Sequence, residues 1–218
     1  MTLPEPLIII GAGEHARVVA DAVALLPDRW RLIGVAAPDG EARAAQLGVR
    51  WFPDDVSVHS MLPEARLILG VGQVGVSQTR SRIVRHYEEA GAVWATVIHP
   101  TAIVSRSAEI HPGAVVLAGA VVNPGASIGS HVIINTRAVI EHDCDIGRFA
   151  CIAPGVILGG GVHVGESAFL GLAACVRDHV RIGAGVLVGM GAVVTRDFAE
   201  AATVLGNPAR AHPFQSKT

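Results

Sequence analysis

The stretch Val139-Ile140-Glu141-His142-Asp143-Cys144 sets two carboxylates and an imidazole side by side among aliphatic neighbours. Histidine titrates near neutral pH, so His142 can take a proton from a reacting group. A carboxylate on its other ring nitrogen selects the tautomer and supports the imidazolium that forms. Asp143 is the expected orienting acid, with Glu141 the weaker candidate for that role. The chain holds ten histidines, so a solvated corner carrying a stray histidine would have the same composition. What separates the two is the backbone that carries the hexapeptide.

A second group of residues near the N-terminus suits binding. Gly11-Ala12-Gly13-Glu14-His15-Ala16 gives G-x-G-x-x-A directly after the apolar run LIII. Such a turn lets backbone N–H groups at a helix N-terminus meet phosphate. Asp39, in AAPDG, offers a carboxylate to a ribose or base, and Gly72 closes the later run LILGVG. Gly11, Gly13, His15, Asp39 and Gly72 are therefore the expected substrate-binding set. The alternative is that the glycines only make a tight turn from strand to helix.

A period of six positions the first group. From Ile98 to Val194, every sixth residue is Ile, Val or Leu, and the residue four further on is small or β-branched throughout. Six is not a helical period. This is the hexapeptide repeat of a parallel β-helix, in which three hexapeptides make one coil of 18 residues, expected to wind left-handed. Glycine often follows the aliphatic position (Gly129, Gly147, Gly159, Gly165), which suggests corners with conformations that a β-carbon penalises. Ile140 and Cys144 point inward, so His142 lies on an outward corner and Cys144 is core filler. Adding 18 to 142 places Gly160 above His142, inside Gly159-Gly160-Gly161. A bare backbone there lets a ligand approach, and Gly160 N–H is the expected oxyanion donor. The same arithmetic stacks His163 between Asp145 and Arg181, read as surface electrostatics.

Residues 1–94 alternate strand-like runs (LIIIG, RLIGVAA, LILGVG) with helical stretches (GAGEHARVVADAVALL, DGEARAAQLG, TRSRIVRHYEEAG). The expectation is a small Rossmann-like α/β domain, sized for a mononucleotide. Residues 95–218 form the all-β left-handed β-helix domain, with VLGNPARAHPF (204–214) as a capping tail. The net charge of −2 gives no nucleic-acid footprint. Cys144, Cys151 and Cys175 are odd in number and lack C-x-x-C spacing, as expected of reduced thiols in a cytoplasmic protein. No apolar stretch is long enough to span a membrane.

Three signals coincide: GAGEHARVV, unbroken hexapeptides, and VLGNPAR. Together they resemble the sugar O- and N-acetyltransferases of the sialic-acid and bacillosamine (perosamine) type. The resemblance covers nearly the whole chain. It implies a homotrimer, acetyl-CoA bound in a cleft between neighbouring β-helices, and a nucleotide held by the front domain. It also implies His142 as the catalytic histidine with Asp143 orienting it. The acceptor implied is the 4-amino group of a 4-amino-4,6-dideoxy sugar on UDP or GDP. Expected acetyl-CoA contacts are Gly160, Gly161, Arg181 (to a phosphate), the turn Asn207-Pro208, and Cys151. Many relatives carry a histidine where this chain has Cys151, so His142 stands as the only base. Glu141 is expected to meet the sugar or a trimer partner. No metal is expected. The competing readings are a sialic acid O-acetyltransferase, a zinc-dependent carbonic anhydrase using three histidines between subunits, and a non-catalytic nucleotide-binding scaffold.

Overall fold

A computed structural model describes residues 3–199 and 202–212. The chain divides into two compact units, residues 1–72 with 78–100 and residues 73–77 with 101–218.

The first unit contains strands β1 (Glu5–Ile10), β2 (Trp30–Ala36), β3 (Arg50–Phe52) and β4 (Arg66–Leu69), and helices α1 (Glu14–Ala24), α2 (Glu41–Leu47), α3 (Asp55–His59) and α4 (Thr79–Glu89). The strands are parallel in the order β3-β2-β1-β4. Leu7, Ile8 and Ile9 are fully buried, as a central strand covered on both faces requires. In α1 the buried residues Ala16, Val19, Ala20 and Val23 fall at helical spacing, which turns one stripe toward the sheet. α2 ends at Gly48, whose left-handed conformation (φ 64) returns its N–H to Ala44 and Ala45 carbonyls. Asp54 caps α3 by accepting from Ser57 N–H at 2.8 Å. β3 and α3 are short elements that the hydrophobic runs did not announce. The strand order reverses beside β1, so the C-terminal ends of β1 and β4 flank a topological switch point, where α/β sheets bind ligands.

The second unit is the hexapeptide β-helix. Two-residue strands recur every six residues through Val193–Val194 without interruption. Each pairs in parallel with the strand 18 residues away, as in Val139↔Ile157, Asp145↔His163 and Cys151↔Phe169. Ile128, Ile134, Ile140, Ile152 and Leu158 fill the interior, and Ala126, Ala138, Cys144 and Ala150 face them; all are fully buried.

The corners correct one expectation. The glycines after the aliphatic position do not adopt the left-handed conformation; that falls two residues later. A β-carbon at Gly129, Gly147 or Gly159 would instead lie 2.6–2.9 Å from backbone atoms of the next coil. Those glycines serve coil-to-coil approach. The left-handed position holds seven non-glycine residues, His131, Arg137, Asp143, Phe149, Ser167, Ala173 and His179. Each donates its backbone N–H to the preceding coil, as Asp143 does to Pro124 O at 3.0 Å and His179 to Gly160 O at 2.8 Å. Those repeated bonds offset the conformational cost.

The outward residues of the three sheets differ in character. One sheet presents Glu109, Ser127, Asp145, His163 and Arg181. Another presents Ile103, Val121, Val139, Ile157, Cys175 and Val193, with Ile103 68% and Ile157 47% exposed. In the tail, Thr203–Leu205 continues the third sheet in parallel and Arg210–His212 folds back antiparallel to it. Residues 213 and 214 of the expected cap lie outside the described residues.

Candidate active site

Glu141 to Cys144 form the corner between the apolar face, left at Val139–Ile140, and the polar face, entered at Asp145–Ile146. Backbone bonds to both neighbouring coils hold this corner. Asp143 N–H donates downward to Pro124 O, and His142 C=O accepts from Gly161 N–H above at 2.8 Å. The left-handed backbone at Asp143 (φ 58) turns its carboxylate back onto the preceding residue. The result is His142 Nδ1 to Asp143 Oδ2 at 2.9 Å. This hydrogen bond raises the imidazole pKa above its ordinary value, with the negative charges of Asp143 and Glu141 adding to it against a smaller opposing desolvation. Nδ1 is thereby committed and Nε2 left available, the arrangement a general base needs.

Nε2 faces Gly160. A β-carbon at Gly160 would lie 2.5 Å from it, so only glycine lets the next coil pass so near the ring. Gly160 N–H takes no part in the coil-to-coil backbone ladder. The third position of each hexapeptide shares this property among the described residues, and Pro112, Pro124 and Pro154 occupy it elsewhere. Gly160 therefore brings an uncommitted donor beside the imidazole. Beneath the pair, Gly125 lies 18 residues before Asp143, and a β-carbon there would overlap Asp143 Oδ1. Reasoning upward from the histidine does not reach Gly125; subtracting 18 from 143 does.

The other expected residues are dispersed. Gly161 is left-handed (φ 66) and supports the His179 ring. His163 Nδ1 meets Asp145 Oδ2 at 3.0 Å on the polar face, in register with an exposed Arg181. Cys151 is buried between Ile133 and Phe169 on the third sheet. Asn207 and Pro208 are exposed in the turn before Arg210–His212. Cys144 Sγ reaches Gly159 O at 3.2 Å from a fully buried position, as core filler should.

In the first unit, a cavity of about 470 Å³ lies at the C-terminal ends of β1 and β2. Gly11 and Asp39 line it, together with Asp55, Arg82, His86 and Tyr87. Asp55 is engaged already, accepting from Tyr87 OH at 2.6 Å and pairing with His86 Nε2 at 3.0 Å. Gly13, His15 and Gly72 are not in the lining. Gly13 is the N-cap of α1 at φ −69, and a β-carbon there would meet nothing within 4 Å, so open space lies above that helix start. Gly72 packs on His15, whose Nε2 is buried without a hydrogen-bond partner. Burial, aided by the positive charge of Arg80, lowers the His15 pKa to about 4. His15 is thus a neutral packing residue beneath the turn.

Among the described residues, no group of three or more His, Cys, Asp or Glu side chains could hold a metal ion, and no helix is long and apolar enough to cross a membrane. Comparison with known proteins agrees with both units. Residues 6–87 match the PglD N-terminal domain, and residues 125–160 match the bacterial transferase hexapeptide (six repeats). PerB from Caulobacter crescentus, solved with CoA and GDP-perosamine, is 35% identical, with 95% of this chain and 97% of that one aligned and a TM-score of 0.84. The acetyltransferase domain of PglB from Neisseria gonorrhoeae FA1090, solved with acetyl coenzyme A, is 32% identical over 96% and 100% of the two chains, with a TM-score of 0.82. The chain belongs to this family of hexapeptide-repeat sugar N-acetyltransferases, enzymes that use acetyl-CoA.

Proposed function

We propose that the acceptor is the 4-amino group of a nucleotide-linked 4-amino-4,6-dideoxy sugar, of the GDP-perosamine or UDP-bacillosamine-precursor type. His142 is the general base. The sugar amine attacks the thioester carbonyl carbon of acetyl-CoA, and His142 Nε2 takes the amine proton as the C–N bond forms. The tetrahedral oxyanion is received by Gly160 N–H. The C–S bond then breaks, and the departing thiolate takes the proton back from the imidazolium. The products are the N-acetylated sugar and CoA thiol. Asp143 holds the tautomer and steadies the imidazolium throughout.

The observation that carries this reading is the commitment of His142 Nδ1 to Asp143 while Nε2 lies against Gly160. A second support is that a histidine-to-alanine mutant of the C. crescentus GDP-perosamine enzyme, 33% identical to this chain, was solved with CoA and GDP-perosamine. Gly11 and Asp39 in the front cavity are assigned to the nucleotide. Gly161, Arg181 and the Asn207-Pro208 turn are assigned to acetyl-CoA, and Glu141 to the sugar. The active form is a homotrimer that buries the apolar face, since a continuous apolar column is otherwise left to water. Ile157→Asp should reduce the assembly to monomer by light scattering, and a wild-type monomer would overturn the trimer.

The deciding experiment is thiol release from acetyl-CoA with UDP- and GDP-linked 4-amino-4,6-dideoxy sugars and with free sialic acid. Rapid release with one amino sugar identifies the acceptor and its nucleotide together. Release with sialic acid alone refutes amine transfer.

A further inference from the structure

Gly125 carries no role in any of the above, yet it lies directly under the acid of the His142–Asp143 pair. We propose that Gly125 is a positioning residue: its missing side chain is the space in which the Asp143 carboxylate lies while bonded to His142 Nδ1. The inference rests on the proposed role of His142 only in its catalytic consequence.

Three observations carry it. First, a β-carbon on Gly125 would overlap Asp143 Oδ1, while Asp143 N lies at 3.7 Å. The conflict is with the carboxylate and not with the backbone that bonds Asp143 to Pro124. Second, the column at this corner alternates bare and substituted residues, Gly125, Asp143, Gly161 and His179, at intervals of 18. His179 lies over Gly161 as Asp143 lies over Gly125, with Nδ1 2.5 Å from the position of a β-carbon. Side chains here fold down over the preceding coil, and glycine underneath makes room. Third, the left-handed backbone of Gly125 (φ 74) does not itself demand glycine, because Ala173 holds the equivalent position at φ 54. The glycine is required by what lies above it.

Asp143 is largely exposed, with 73% of its side chain open to water. An added methyl group would therefore swing the carboxylate outward and leave the coil intact. His142 would lose the bond that selects its tautomer and raises its pKa. The ring would then titrate at lower pH, nearer its ordinary value, with less support for the imidazolium.

The test is Gly125→Ala, with Gly119→Ala as control. Gly119 has the same left-handed geometry (φ 66) at the neighbouring corner, and a β-carbon there meets only Arg137 Cγ at 3.4 Å. The His142 pKa is read by NMR titration, independently of turnover. Expected for Gly125→Ala is a lower His142 pKa, a fall in kcat/KM of roughly 10- to 10²-fold from misplacement, and no further loss on adding Asp143→Ala. Gly119→Ala should change neither. A wild-type His142 pKa in folded Gly125→Ala overturns the proposal. So does additivity with Asp143→Ala, or an equal loss in Gly119→Ala. A lowered pKa with unchanged turnover leaves Gly125 as the positioning residue and refutes His142 as the base.

Discussion

The corner at His142 and the cavity at Asp39 are built on opposite plans. The corner is local in sequence and repeated in space. Its imidazole and carboxylate are neighbours, and its glycines come from the coils directly above and below. The cavity draws on the ends of β1 and β2, the start of α3, Val71 after β4, and α4, so its shape depends on how helices settle against a sheet. The corner has little room to vary and suits a proton transfer whose geometry must be held to fractions of an ångström. The cavity has loops that can change without disturbing a repeat, which suits recognition. The two regions should fail differently when damaged.

The largest effect falls at the corner. His142→Ala should cut kcat by roughly 10²–10⁴-fold, the usual contribution of a positioned base. The KM for the nucleotide sugar should hardly move, and the coil should survive because the side chain is exposed. Steady-state thiol release checks this. A KM that rises as kcat holds would place His142 with binding and erase the contrast between the regions.

The opposite pattern is expected at the cavity. Asp39→Asn keeps the shape and removes the charge. The nucleotide-sugar KM should rise by roughly 10- to 10²-fold, as for a lost charge-assisted hydrogen bond, with kcat retained. Isothermal titration with the bare nucleotide separates binding from chemistry. An unchanged affinity would take Asp39 out of the nucleotide site and leave the cavity's role to Arg82 and its neighbours.

The same contrast explains what could be read in advance. A repeat of 18 is arithmetic, so stacking Gly160 on His142 and His163 on Asp145 needed only addition. The left-handed position was misplaced because glycine is its usual signal, and here coil-to-coil bonds impose that backbone on His131, Arg137 and Asp143. In the front unit, Gly11 and Asp39 follow strand ends and were legible. Asp55, Arg82, His86 and Tyr87 were not, since they sit on helices whose facing is a tertiary outcome. The one local hint was Arg82 and His86, four residues apart on one face of α4. His15 lies outside the cavity lining for a related reason. Its place in the front motif suggested a ligand contact, whereas in the structure its side chain packs against Gly72.

His15 gives an effect on stability and not on turnover, confined to the front unit. Folded His15 stays neutral down to about pH 4, while the unfolded chain protonates it near 6.5. Between those values the unfolded state binds more protons, so stability is full above about pH 6.5 and falls as pH drops toward 4. The gap between those two values corresponds to a loss on the order of 3 kcal/mol. All three tryptophans, Trp30, Trp51 and Trp94, belong to this unit, so intrinsic fluorescence in urea reports on it selectively. His15→Leu removes both the buried ring nitrogen without a partner and the proton uptake. Its urea midpoint should stay level from pH 7 to pH 5 where the wild-type midpoint declines, and turnover at pH 7 should persist. A variant that declines in parallel with wild type would trace the acid sensitivity to other groups. One that keeps its fold but loses nucleotide affinity would return His15 to the binding site that the front motif first suggested.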